Sequence, residues 1–355
     1  MTLHIGNRQV GDGAPCFIVF EAGPTHSGLE SARDLVRLAA EAGADAVKFQ
    51  IFDPDRLVAD RKQLFTYQVL ADRESGRTET ISEPLYDILC RRSLPHSDWR
   101  ALKRHADELG VAFFSTVGFE DDVDFLVELG CGSIKIASAD ITHFPLIRYA
   151  ARTGIPLQID TGNATLEEVA AAVQEIVACG NRNIVIHHCP SGYPARLESI
   201  HLRIIPTLRA MFDHPIAYSD HTPGWDMDIA AIALGASMVE KTITHDRTTR
   251  SVEHMFSLEP ADMKRFIVAV RELETAFGSD RKQLSPEEME SRLRIRRSVH
   301  LKRAVRAGEP LKADLIDFRR PGHGIPPQKH EAYLGMKFAR DMAAGDIVLP
   351  ADLKG

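Results

Sequence analysis

Between residues 16 and 278 the chain repeats one pattern, a short apolar or β-branched run followed by an amphipathic segment that stops at a glycine. Such runs read as buried strands and such segments as helices, and their alternation is the signature of a parallel sheet with helical crossovers. Strands are expected over 16–22, 46–52, 111–116, 133–137, 156–160, 183–188, 216–219 and 237–244. The first helix spans 29–41 with Gly43 as a left-handed cap, others end near Gly110, Gly130, Gly154, Gly180 and Gly235, and the last runs over 260–277. Eight such units within about 265 residues match a (β/α)8 TIM barrel in count and length. A doubly wound sheet is the alternative.

The polar stretch 53–93 is longer than a usual βα connection and reads as a lid or an extra helix, or as a solvated insertion. After Phe277 the pattern stops. We divide the chain into a barrel domain over 1–280, a charged linker over 281–297 and a small β-rich domain over 298–355. Within the linker, Ser285-Pro286-Glu287-Glu288 has the form of a helix start. In the last segment, Ala307-Gly308-Glu309-Pro310-Leu311-Lys312-Ala313-Asp314-Leu315 is echoed by Ala344-Gly345-Asp346-Ile347-Val348-Leu349-Pro350-Ala351-Asp352-Leu353, as two similar turns would require.

A 44% hydrophobic and 26% charged composition excludes disorder, and no run of some 18 apolar residues suggests a membrane span. The polar start has no signal-peptide pattern, so a cytoplasmic protein with no membrane partner is expected. Five scattered cysteines with no Cys-x-x-Cys pair indicate neither a disulfide framework nor a zinc ribbon. A net charge of −7 with few aromatic residues argues against a nucleic-acid partner and leaves room for a small anionic substrate in a cleft with its own cations.

In a barrel the chemistry sits at the carboxyl ends of the strands. Polar residues crowd there: Glu21, Lys48, Gln50, Ser115, Thr116, Lys135, Ser138, Asp140, Asp160, Thr161, His187, His188, Ser191, Tyr193, Ser219, Asp220, His221, Glu240, Lys241, Thr242 and Thr244. Lys48 and Gln50 are two apart and share one face of a strand, with Val47 and Phe49 on the other. If that face is the barrel interior, Lys48 is desolvated and needs an anionic ligand or a structural carboxylate partner. Lys135 repeats the situation, and the two lysines with nearby hydroxyls describe a cradle for a small, highly charged anion. One of them forming a Schiff base with a carbonyl substrate stays open as well. Among the histidines, His221 is the strongest candidate for a metal ligand; His188, His245 and His254 show no metal-site spacing.

The segments Phe20-Glu21-Ala22-Gly23-Pro24-Thr25-His26-Ser27-Gly28 and Ala42-Gly43-Ala44-Asp45-Ala46-Val47-Lys48-Phe49-Gln50 resemble the N-acetylneuraminate (sialic acid, nonulosonic acid) synthase family. Lys135-Ile136-Ala137-Ser138, Asp160-Thr161-Gly162, His188 to Pro194, Tyr218 to Thr222 and Glu253 to Leu258 follow in family order. Arg319-Arg320-Pro321-Gly322-His323-Gly324-Ile325-Pro326-Pro327 resembles the family's C-terminal antifreeze-like (SAF) domain. The resemblance implies a transferase that condenses phosphoenolpyruvate with an N-acetylmannosamine-type amino sugar, giving a nine-carbon 2-keto acid and phosphate. It implies phosphoenolpyruvate contacts from Lys48, Thr116, Lys135, Ser138, Ser191 and Ser219. It implies sugar contacts from Glu21, Gln50, Asp140, Tyr193, Glu253 and, across a domain-swapped homodimer, Arg320. Glu21, Lys48, Lys135, Asp140 and His221 are the catalytic candidates. A divalent metal, Mn or Mg, is bound in the family by two histidines; here they fall at His221 and at Thr242, so one strong ligand is missing, and either His245 or His254 replaces it, or the metal is held weakly through water, or this subgroup works without it. Ser191, Asp140 and Glu253 also depart from the usual asparagine, glutamate and aspartate, which leaves the sugar open. A sugar-phosphate binding protein without synthase activity and a Schiff-base aldolase are the alternatives.

Overall fold

The computed structural model describes all 355 residues, Met1 to Gly355. They form two compact units, Met1–Phe277 and Gly278–Gly355, each around its own apolar core.

The chain opens with a hairpin of β1 (Thr2–Ile5) and β2 (Arg8–Gly11). Then come β3 (Phe17–Glu21), α1 (Leu29–Ala42) and β4 (Ala46–Gln50). Buried Ala32, Leu35, Val36 and Ala39 form the inner stripe of α1, and Gly43, at φ 96, caps it with its N–H on the Ala39 and Ala40 carbonyls. Next are α2 (Pro54–Leu57), β5 (Leu64–Leu70), β6 (Thr78–Pro84), α3 (Leu85–Cys90), α4 (His96–Glu108), β7 (Ala112–Val117), α5 (Glu120–Glu128) and β8 (Ile134–Ile136). The unit continues through α6 (Phe144–Ala151), β9 (Leu157–Asp160), α7 (Leu166–Ala178), β10 (Ile184–His188), α8 (Leu197–Ile200) and α9 (Ile204–Met211). It ends with β11 (Ile216–Asp220), α10 (Asp226–Ala233), β12 (Met238–Thr242) and α11 (Pro260–Phe277).

Strands β3, β4 and β7 to β12 are parallel and close on themselves, β12 pairing with β3. The architecture is therefore the (β/α)8 barrel and not the open doubly wound sheet. Outward side chains such as Ile18, Phe20, Val47 and Phe49 pack under the helices in one large cluster. Inward side chains at the amino ends, Phe17, Val19, Ala46, Phe114, Val185, Ala217 and Met238, form a second cluster with Leu3, Ile5 and Val10 of the opening hairpin. That hairpin plugs the barrel floor. Above this apolar layer the interior turns polar, with buried Lys135, Gln158, His187, Ser219 and Glu240.

The insertion over 53–93 is not a lone extra helix. Its centre is the antiparallel β5–β6 hairpin, flanked by α2 and α3. Arg73, between those strands, reaches Glu259 at 2.6 Å and Asp246 at 2.9 Å, and Arg250 reaches Glu79 at 3.0 Å, so ion pairs tie the hairpin to the segment after β12.

The second unit contains α12 (Pro286–Ile295), β13 (Ser298–Leu301), β14 (Ile316–Arg319), β15 (Lys337–Phe338) and β16 (Leu353–Lys354). The helix, started by a Ser285–Glu288 capping box, occupies most of the expected linker. The sequence echo is structural: Val305 and Met342 exchange both backbone hydrogen bonds at 3.0 Å. The turns that follow place Gly308 at φ 86 and Gly345 at φ 88.

Candidate active site

The barrel carries a cavity of about 400 Å³ at the carboxyl ends of its strands. Strand register sets its floor. Glu21 stands opposite Lys48 on β4 and Thr242 on β12, Thr116 stands opposite Lys135, and Ser219 opposite Glu240. Lys48 does face the barrel interior and is 4% exposed; Lys135 is fully buried.

Two lysine ammoniums and three carboxylates share this floor. Lys48 pairs with Glu21 and, at 3.1 Å, with Glu240, and its Nζ also donates to Thr116 at 3.3 Å. Lys135 reaches the other oxygen of Glu240 at 2.6 Å, Asp160 at 3.0 Å and the Ser219 hydroxyl at 3.2 Å. Glu240 thus bridges both lysines. Burial opposes its ionisation, but the two ammoniums hold its carboxyl well below the usual range. Glu21 has only Lys48, so burial wins and pushes its carboxyl up to about 7. Of the carboxylates around Lys48, Glu21 is therefore the one that exchanges a proton near neutrality. Burial alone would lower the Lys48 ammonium; Glu21 and Glu240 instead hold it well above its ordinary value.

Beneath the lysines, Gln158 donates to Ser133 and its oxygen faces His187 Nε2, both at 2.9 Å. His187 Nε2 then carries the proton, leaving Nδ1 to accept from Ser219 at 2.9 Å. Burial, reinforced by Lys135, keeps this imidazole neutral. The network fixes the Ser219 hydroxyl beside Lys135.

Gly23 donates its N–H to Glu21 Oε1 at 2.6 Å, and a Cβ on it would lie 2.7 Å from that oxygen and 2.8 Å from the Gln50 backbone nitrogen. Only glycine permits this close approach. Glu253 holds φ 71, a left-handed conformation costly for a side-chain-bearing residue, and its carboxylate accepts from Thr242 at 3.3 Å. Asp140 is half-buried, and burial raises its carboxyl. Gln50, Thr116, Ser138, Asp140, Tyr193, Ser219, His221, Thr242 and Glu253 all line the cavity.

One expected site residue of the barrel lies elsewhere. Ser191 is exposed in a neighbouring groove with Thr161 and Asn163; Gly192, at φ 119, turns the chain so that Tyr193 reaches the cavity and Ser191 does not. Arg320 lies exposed in the second unit, just after β14. Ser115 and His188 are taken by structural bonds, the former to the Phe49 carbonyl at 3.0 Å and the latter to Ile200 at 2.6 Å.

The residues around His221 do not fit a two-histidine metal centre. Its Nδ1 meets the Pro190 carbonyl at 3.2 Å, and its ring packs on Tyr193. The second position offers only the Thr242 hydroxyl. Neither proposed replacement faces the cavity: His245 pairs with Asp34 at 2.9 Å, and buried His254 bonds Thr244 at 2.7 Å. No group of three or more His, Cys, Asp or Glu side chains converges as a metal site.

Sequence reasoning missed Arg92, which lines the cavity from the insertion. Nothing in the string Arg91-Arg92 separates it from its exposed neighbour. It also missed Phe65 of β5, whose ring lies 6.2 Å from that of Tyr193.

A TIM barrel with two buried, carboxylate-bridged lysines at the carboxyl ends of its strands, followed by a small β-rich unit, is the arrangement expected of a sialic acid synthase-like protein, and comparison with known proteins shows the family. Residues 35–282 match the NeuB family and residues 296–354 the SAF domain, and the chain belongs to the NeuB family. It is 34% identical to N,N'-diacetyllegionaminic acid synthase of Legionella pneumophila, over 97% of this chain and 96% of that protein. It is 32% identical to human N-acetylneuraminate-9-phosphate synthase, over 96% and 94%. Among solved structures, the N-acetylneuraminic acid synthetase of Leptospira borgpetersenii with citrate superposes with a TM-score of 0.71 at 26% identity, covering 82% of this chain and 95% of that one. No helix here is long and apolar enough to cross a membrane.

Proposed function

We propose that the protein condenses phosphoenolpyruvate with an N-acetylated mannosamine-type aldose to a nine-carbon 2-keto acid, releasing phosphate. The observation that carries this reading is the pair of buried lysines joined through Glu240 on the cavity floor. A low-dielectric site with two ammoniums and the Thr116, Ser138 and Ser219 hydroxyls suits a ligand with phosphate and carboxylate groups. The wall carries the opposite chemistry: Glu21, Gln50, Asp140, Tyr193 and Glu253 offer acceptors and donors for sugar hydroxyls.

In this reading C3 of the enol phosphate bonds to the sugar aldehyde carbon, whose oxygen takes a proton and becomes a hydroxyl. Water adds to the cation left at C2, and the tetrahedral adduct expels phosphate to leave the ketone. Glu21, with its carboxyl near 7, is placed to pass protons in these steps. An arriving phosphate competes for Lys48 and favours the neutral Glu21 carboxyl, so the ligand brings a proton with it. The Schiff-base reading needs a neutral lysine, and the carboxylates around Lys48 oppose that.

The test uses phosphoenolpyruvate with 18O in its bridging position. The proposal expects the label in phosphate and solvent oxygen at C2 of the acid. A borohydride-trapped lysine adduct with pyruvate would instead support the aldolase.

A further inference from the structure

One cavity-lining cation has no partner. Arg92 follows α3 and is 6% exposed, yet its guanidinium enters no ion pair, and Nη2 is buried without a hydrogen-bond partner. Its neighbour Arg91 points outward and pairs with Glu83 at 2.7 Å. Lys48 and Lys135, the other cations at this site, each contact two carboxylates, Lys48 those of Glu21 and Glu240 and Lys135 those of Asp160 and Glu240. Among the charged groups that act on Arg92, Glu253 and Glu21 attract it and Arg91 repels it, but neither carboxylate is at contact distance. Burying a guanidinium without a counter-charge is strongly unfavourable. Neutral hydroxyls offset only part of that cost, whereas a planar, always charged fork is matched by a bidentate phosphate or carboxylate.

We propose that Arg92 is a specificity residue that binds an anionic group, a phosphomonoester or a carboxylate, carried by the acceptor sugar. The inference rests on the synthase reading and adds the charge of the acceptor. Arg92 lines the cavity wall from the insertion, and the charged group that acts on it most is Glu253, a residue assigned to the sugar, so we assign the anion it awaits to the acceptor. The insertion that frames this wall thereby gains a role in substrate selection.

The experiment measures kcat/KM for phosphate release from phosphoenolpyruvate with N-acetylmannosamine, its 6-phosphate and its 6-uronate, in the native full-length protein and in Arg92→Met and Arg92→Lys. The native protein is expected to prefer one of the anionic sugars, and the phosphate and uronate arms decide which group is read. In Arg92→Met the anionic-to-neutral ratio falls roughly 10- to 100-fold, the worth of a charge-assisted hydrogen bond. Arg92→Lys restores part of it. Because the ratio is taken within one preparation, a partly unfolded variant does not distort it. A native preference for the neutral sugar, or an equal loss on all three sugars in Arg92→Met, overturns the inference while leaving the synthase reading intact. An equal loss would instead place Arg92 on a group common to all three reactions, the enol phosphate included. No release with any sugar overturns both.

Discussion

At the residue scale, the site depends on which carboxylate shares which lysine. Glu240 touches two ammoniums and stays ionised; Glu21 touches one and sits near 7. The folded protein therefore binds the Glu21 proton more tightly than the unfolded chain does, so stability falls as pH rises from about 4.5 through about 7. In the proposed reaction the same proton would favour phosphoenolpyruvate. We expect KM for phosphoenolpyruvate to climb as pH rises above about 7, and Glu21→Gln to flatten both trends, as pH-dependent kinetics and thermal melts would show. A climb that persists unchanged in Glu21→Gln would assign the proton elsewhere. The departure at Thr242 is also a residue matter. Thr242→His adds a second imidazole to the cavity that His221 lines, so the variant should gain Mn²⁺ affinity by calorimetry, whereas phosphate release by the native protein should survive EDTA.

At the element scale, the eight strands were legible because each is a buried run and most follow a helix that stops at a glycine, and the observed bounds differ from the expected ones by a residue or two. Lys48 and Gln50 were legible as a pair because strand alternation is strict. What escaped notice had weaker local signals. The floor hairpin turns on the two residues Gly6-Asn7, a short turn that a systematic hairpin search would find. The β5–β6 hairpin is polar on its outer face and lacks a two-residue turn, so its strands resemble loop sequence. Ser191 lies in a neighbouring groove because Gly192 turns the chain beside it, which spacing cannot reveal. The floor hairpin should matter for stability: Ile5 is fully buried in the lower layer, and Ile5→Ala should cost about 2–5 kcal/mol in denaturant unfolding. A change below about 0.5 kcal/mol would show that the hairpin does not seal the barrel.

At the scale of the whole molecule, two cores in one chain mean two cooperative units. The segment between Gly278 and Pro286 is exposed throughout and is the expected site of first proteolytic cleavage, checked by mass spectrometry of the fragments. Along α12, Met289, Leu293 and Ile295 are each more than half exposed, at 55%, 52% and 54%. The family likeness implies a swapped homodimer, which would cover such side chains. We predict a dimer by sedimentation and a shift to monomer in Leu293→Asp. A native monomer would contradict this.

In the proposed reaction the lysine-lined cavity joins phosphoenolpyruvate to a sugar, and this is measured as phosphate release from phosphoenolpyruvate with and without a panel of N-acetylated mannosamine-type sugars, neutral, phosphorylated and diacetylated. Release is expected to depend on one of these sugars, to yield a nine-carbon 2-keto acid and to be abolished in Lys135→Met. Sugar-independent release, or none with any sugar, would contradict that reaction.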